Sequence, residues 1–162
     1  MNRIKILWVK INETLKRSGD VPPVYNHILQ VSQLCTLIAL KRGLDAELAT
    51  MAGALHDIAS LRNHDIEPYK VKGLTPQNHA ELGADIAMEI LVELNITTLE
   101  ENAIICTAIR KHSDKNTTDS AFDEIIKDAD VFAHGLSYNF RGERWDRLCD
   151  EFGIHNPRTD IK

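Results

Sequence analysis

No paired-cysteine motif is present: the three cysteines, Cys35, Cys106 and Cys149, stand far apart with no CxxC spacing. An odd, scattered set argues against a disulfide framework, and Cys35 and Cys106 sit among aliphatic residues like small core side chains. Reduced thiols point to a cytoplasmic location. Positive charge is also short. Lys and Arg number 19 against 24 Asp and Glu, a formal net charge of −5, with a pI of about 5.8. A protein whose main partner were nucleic acid would normally show the opposite balance. No apolar run is long enough to span a bilayer. The opening MNRIKILWVKIN is too interrupted by charge for a signal peptide, so no membrane partner is expected. Strand-like alternation, internal repeats and low-complexity tracts are missing as well.

What remains is a chain of 162 residues, 43% hydrophobic and 27% charged, sufficient for one domain with a real core. Ile4, Leu7, Ile11 and Leu15 share one face of a first helix. Pro22-Pro23 opens a second, which Gly43 stops. Asp45 caps a third, ending near Ala59, and the aperiodic stretch 60–74 with Pro68 and Gly73 reads as a loop. Thr75-Pro76 opens a helix to about Asn95. Thr98 with Glu101 three residues on has the form of a capping box and begins a helix to about Ser113. After the polar DKNTTDS, Asp119 or Ser120 caps a helix through about Tyr138, and WDRLCDEF forms a short closing helix. The expectation is an all-α single domain over 1–162. Its important helices lie at about 23–138, and 139–162 holds a short helix and a tail that frays after Ile154.

Against that pattern stands AGALHDIAS at 52–60, an apolar helical face running straight into His56 and Asp57. Other helices repeat the anomaly. The stripe Val31, Leu34, Ile38 extends back to His27, and Gly83, Ile86, Ile90 extends back to His79. Ile105, Ala108 and Ile109 lead on to His112, while Ile126 and Ala133 bracket Asp130. Any one of these histidines alone is more often a hydrogen-bonded core residue than a ligand. Together they would be costly, since each unpaired buried polar group costs about 1–3 kcal/mol against a total stability of about 5–15 kcal/mol. A shared divalent cation removes that cost, because neutral imidazole and carboxylate are its natural ligands. Six ligands suit two ions. His27, His56 and Asp130 are assigned to the first, His79 and His112 to the second, and Asp57 bridges them.

The ordered set His27, His56-Asp57, His79, His112, Asp130 resembles the HD-domain superfamily, in the subset that adds two histidines to the basic pattern. The segments LHDIA, NHAELGADIA, AIRKHS and KDAD match the local contexts of those ligands, over roughly residues 24–136. The resemblance implies an all-α helical bundle of HD type holding two divalent metal ions. Iron or manganese is preferred among Fe, Mn, Mg, Zn, Co and Ni. It further implies a metal-dependent phosphohydrolase that cleaves a phosphate ester or anhydride of a nucleotide or other small organophosphate by a metal-activated hydroxide. Asp57 would position the ions and serve catalysis. The same ligand pattern also supports mixed-valent diiron oxygenases of the superfamily, and a metal-containing ligand-sensing module is a third reading.

Departures bear on the substrate. Many members with a diiron-type centre carry a lysine three residues after the aspartate of the pair, where this chain has Ser60. The GYP-type signature of cyclic-dinucleotide phosphodiesterases is missing. VFAHGLSYN after Asp130 is unlike the IEPGR-like stretch of the HD dinucleoside-tetraphosphate hydrolases. A replacement for the lost cation is sought in the loop after the pair, with Arg62 and Lys72 preferred over His64 and Lys70. Arg110 and Lys111 flank His112. Asp128 is either a partner of a ligand histidine or an exposed carboxylate. His134, one turn beyond Asp130, either lines the pocket or is structural; His64 and His155 read as surface residues, and Glu100–Glu101 as a helix N-terminus.

Overall fold

A computed structural model describes residues 2–138 and 142–154. The helices are α1 (Arg3–Ser18), α2 (Pro23–Arg42), α3 (Ala46–Leu55), α4 (Ile58–Arg62), α5 (His79–Leu94), α6 (Leu99–Lys111), α7 (Ala121–Tyr138) and α8 (Glu143–Phe152). No strand occurs among the described residues, so the fold is all-α.

Local chemistry sets most boundaries. Proline opens α2, where a missing N–H costs nothing, and Gly43 ends it at φ 67°. The Asp45 side chain accepts from Leu48 N at 2.9 Å to start α3. Thr98 and Glu101 form a reciprocal capping box on α6. Arg3 then clamps Glu101 at 2.9 Å and Glu47 at 2.6 Å, tying α1 to the starts of α6 and α3. Two boundaries differ from the sequence-based expectation. The helix from Asp45 does not run to Ala59 but breaks at His56–Asp57 into α3 and α4. Thr75-Pro76 opens a turn, not a helix: Asn78 Oδ1 accepts from Thr75 N at 2.7 Å, and α5 begins only at His79.

The core lies between α2, α3, α5, α6 and α7, with α1 laid across it through Leu7 and Ile11. α2 packs chiefly on α3 and α7, and α5 on α6. The α2–α3 approach is close because of Gly53, where a Cβ would stand 2.9 Å from the Ser32 Cα and 2.8 Å from the Cys35 Sγ. A smaller cluster of Val131, Phe132, Trp145 and Leu148 docks α8 on α7. All three cysteines are buried.

Ion pairs fix the connection between α6 and α7. Lys127, with no exposed surface, donates to Asp119 Oδ2 at 2.6 Å and to the Thr117 carbonyl at 2.7 Å. Asp128 is equally buried and accepts from Arg42, Arg144 and Arg147, each at 2.6 Å. It is therefore neither an exposed carboxylate nor a histidine's partner. His155 lies outside the described residues.

Candidate metal centre

The break between α3 and α4 explains why an imidazole and a carboxylate stand side by side. In an unbroken helix, neighbours project about 100° apart and could not share a target. Asp57 instead adopts φ −113° and ψ 26°, the bridge region where the chain turns without continuing the helix. His56, fully buried, and Asp57 then face the same centre.

Four other helical positions converge there. His27 Nε2 lies 3.0 Å from Asp130 Oδ1 and 3.2 Å from His56 Nε2. Asp57 Oδ2 is 3.9 Å from His27 Nε2 and 3.7 Å from His56 Nε2. Its other oxygen, Oδ1, is 3.7 Å from His79 Nε2 and 3.8 Å from His112 Nε2, which are 3.2 Å apart. One carboxylate thus presents each of its oxygens to a different imidazole pair. All six residues named from the sequence meet at this point.

Three of the rings owe their orientation to the backbone. The Nδ1 atoms of His56, His79 and His112 lie 2.8, 2.7 and 2.6 Å from the carbonyls of Gly53, Pro76 and Ile109, each three residues earlier. A carbonyl only accepts, so Nδ1 carries the proton and Nε2 of the neutral ring a lone pair. The His79–His112 contact therefore sets lone pair against lone pair, with no hydrogen to join them. Burial pushes the His112 imidazole down to about 3, and a proton on His56 or the Lys115 ammonium works in the same direction. Burial likewise lowers His56. Burial works to raise Asp57, but the imidazoles of His56 and His112 outweigh it and hold the carboxyl below its usual range. Asp57 Oδ1 is buried without a hydrogen-bond partner. An orphaned anionic oxygen among convergent lone pairs fits a bound cation.

Asp130 completes the cluster. Burial works to raise it, yet hydrogen bonds from His134 and His27 and the nearby Lys115 hold it well below the carboxylate range. His134 Nδ1 is 3.0 Å from Asp130 Oδ1, and its ring packs 4.6 Å from that of His27. Three groups have ligand atoms close enough to share an ion: His27, His56 and Asp57; Asp57, His79 and His112; and His27, Asp130 and His134.

The residues expected to hold substrate fare differently. Arg62 does not reach the centre. It ends α4 five residues after Asp57, about 140° round the helix, and lines a separate depression with Arg17, Glu13 and Tyr69 of the α1 side. Lys72 is exposed and is not among the residues lining the hollow of about 450 Å³ beside Asp57. Ser60, Asn63, His64, Thr75 and His79 line that hollow instead. His64, expected at the surface, is exposed but sits at its wall. The signal was the spacing of Asp57, Ser60 and His64 at i, i+3 and i+7, although only Ser60 lies within α4. Arg110 pairs with Glu81 and Asp85, and Lys111 with Asp119 and Asp123, so neither is free for the centre. Sequence reasoning passed over Lys115, whose Nζ is 2.6 Å from Asp130 Oδ2. Its one signal was a cation placed three residues after His112.

Comparisons with known proteins agree with this geometry. The HD domain family model matches residues 24–135. Ribonuclease Y of Enterococcus faecalis is 29% identical over 110 residues, 68% of this chain and 18% of that protein. Ribonuclease Y of Oleidesulfovibrio alaskensis is 31% identical over 158 residues, 94% of this chain and 27% of that protein. The chain thus spans about a fifth to a quarter of the length of these relatives. The crystal structure of a predicted HD superfamily hydrolase from an uncultured Thermotogales bacterium superposes with a TM-score of 0.63 at 24% identity, covering 93% of this chain and 85% of that one, and shares the fold. No helix among the described residues is long and apolar enough to cross a membrane. With the family pattern matched over most of the chain and its histidines and aspartates gathered at one point, the chain belongs to the HD-domain family.

Proposed function

We propose that the chain is a metal-dependent phosphohydrolase with a two-cation centre, acting on a phosphate ester or anhydride of a nucleotide or another small organophosphate. The observation that carries this reading is Asp57, whose two oxygens face two separate pairs of imidazole nitrogens. His27, His56 and Asp130 would hold one cation and His79 and His112 the other, with Asp57 between them. Bound there, divalent cations polarise a phosphoryl oxygen and acidify water near neutral pH.

The chain's own residues do the rest. Carbonyl hydrogen bonds at Nδ1 of His56, His79 and His112 keep these ligand nitrogens aimed inward before any ion arrives, which lowers the ordering cost of binding. Asp57, held ionised, is the base placed to accept a proton from the attacking water. The hollow walled by Ser60, Asn63, His64 and Thr75 gives a polar, hydrogen-bonding bed for the substrate outside its phosphate.

A second reading, cleavage of an RNA phosphodiester, draws on the matches to proteins named Ribonuclease Y. The net charge of −5 favours the small substrate, because a polynucleotide needs a basic track. The test is a screen of nucleotides, phosphate monoesters and short RNAs with protein loaded with manganese or iron, in air and without it. Release of phosphate or nucleotide without oxygen supports hydrolysis. Turnover that demands both oxygen and reduced iron would establish the oxygenase alternative instead, and tight ligand binding without turnover would mark a sensing module.

A further inference from the structure

We propose that Lys115 is the cation that grips the substrate's phosphoryl group, supplied from the α6–α7 connection in place of the lysine missing at Ser60. The inference rests on the phosphohydrolase reading and adds a residue to it.

The geometry is that of a placed side chain. Its Nζ contacts the His112 carbonyl and lies 2.6 Å from Asp130 Oδ2, while Asp130 Oδ1 faces His27 and His134. Lys115 therefore takes the carboxylate oxygen that points away from the imidazoles. An ammonium carries three N–H donors, so one is left for an incoming anion. Room for that anion exists. Lys115 and Val131 line both a pocket of about 250 Å³, shared with Asp130 and His134, and a larger one of about 740 Å³ that continues toward α8. Lys115 is common to both, and its side chain is 28% exposed.

The main chain beneath it is equally fixed. Arg144 Nη2 donates to the Lys115 carbonyl at 3.2 Å, and Arg144 Nη1 is anchored on Glu124 and Asp128 at 2.6 Å each. The ion-pair network around Asp128 thus acts as the mount for Lys115, with Arg144 a positioning residue. Among the described residues, Arg110 and Lys111 are committed to carboxylates outside the centre and Arg62 faces α1, whereas Lys115 is held on a carboxylate of the centre itself. Cations held by these ligands would share the negative charge of Asp130, which would leave the Lys115 ammonium freer to pair with a phosphoryl oxygen.

The test uses the full chain loaded with manganese, inorganic phosphate as the ligand, and the variants Lys115→Met, Lys115→Arg and Arg144→Met. Elemental analysis gives metal content, and titration calorimetry the phosphate Kd. The expected result is a Kd raised about tenfold to a hundredfold in Lys115→Met, the range of one charge-assisted hydrogen bond, with metal content unchanged. Lys115→Arg should recover most of the affinity, and Arg144→Met should weaken it severalfold. An unchanged Kd in Lys115→Met would overturn the proposal. So would loss of metal in that variant, which would make Lys115 a support for Asp130 alone, and so would a parent chain that binds no phosphate. If phosphate binding depends on Lys115 while the parent turns over no phosphoester, the hydrolase reading fails and the phosphate site stands.

Discussion

Metal-linked stability offers a test that needs no substrate. A ligand that binds only the folded chain stabilises it by RT ln(1 + [L]/Kd), about 2.7 kcal/mol when free metal is a hundredfold above Kd. For a domain of this size each kcal/mol moves Tm by about 2–4 °C, so one filled ion set should raise Tm by about 5–11 °C and two by about twice that. The proposed ligand sets say which side chains govern which share. His79 is the best handle on the second set because its side chain is 21% exposed, and its removal leaves no deep cavity. His79→Ala should keep only the rise due to His27, His56 and Asp130, close to half. Asp57→Asn keeps the shape but removes the charge that both imidazole pairs face, and should lose more than either histidine variant. Differential scanning fluorimetry over a manganese titration, with chelator-treated protein as the baseline, reads the shift in each variant independently of its own apo stability. Equal shifts in the parent, His79→Ala and Asp57→Asn would refute the placement of the ligands.

Three other outcomes follow from the same coordinates. The metal-free chain should lose stability in acid: the folded-state pKa of His112 lies at about 3, below the unfolded value near 6.5, so the unfolded chain binds more protons between these values. Stability is then full above about pH 6.5 and falls by a few kcal/mol toward pH 3, checked by urea midpoints across that window. Gly53→Ala would place a Cβ 2.9 Å from the Ser32 Cα and 3.1 Å from the Val31 carbonyl oxygen. The overpacking, about 1–3 kcal/mol, outweighs a helix-propensity gain of about 1 kcal/mol, so thermal melts should show a Tm lowered by several degrees. Asp128→Asn leaves three arginines around an uncharged, buried amide, at a cost on the order of 3–5 kcal/mol in chemical denaturation. A loss under 1 kcal/mol would mean that the arginines repair themselves elsewhere.

Much of the site was legible because helices translate sequence spacing into direction. His27, His79, His112 and Asp130 each sit where an apolar stripe points inward, and their convergence needed only those stripes to share a core. His56 and Asp57 drew attention as a pair, but the break that lets both face one centre is a tertiary event. It depends on Asp57 leaving helical dihedrals, which no propensity at that position demands. The start of α5 escaped notice for a related reason: Thr75 and Asn78 satisfy each other as a turn, using residues that equally suit a helix cap. The substrate side was least readable. Arg62 and Lys72 were preferred for lying near the pair in sequence, yet Arg62 is turned away by its angle on α4. Lys115 reaches Asp130 from a loop mounted on ion pairs that join α7 to α2 and α8, and the last two are remote from it in the chain.

The central claim is that six side chains from separate helices hold two cations bridged by Asp57. Anomalous diffraction from crystals grown with manganese, recorded on either side of its absorption edge, tests it most directly. The account predicts two peaks per chain, one among His27, His56 and Asp130 and one beside His79 and His112, with an oxygen of Asp57 touching each. A single peak elsewhere, or none at saturating metal, would contradict it.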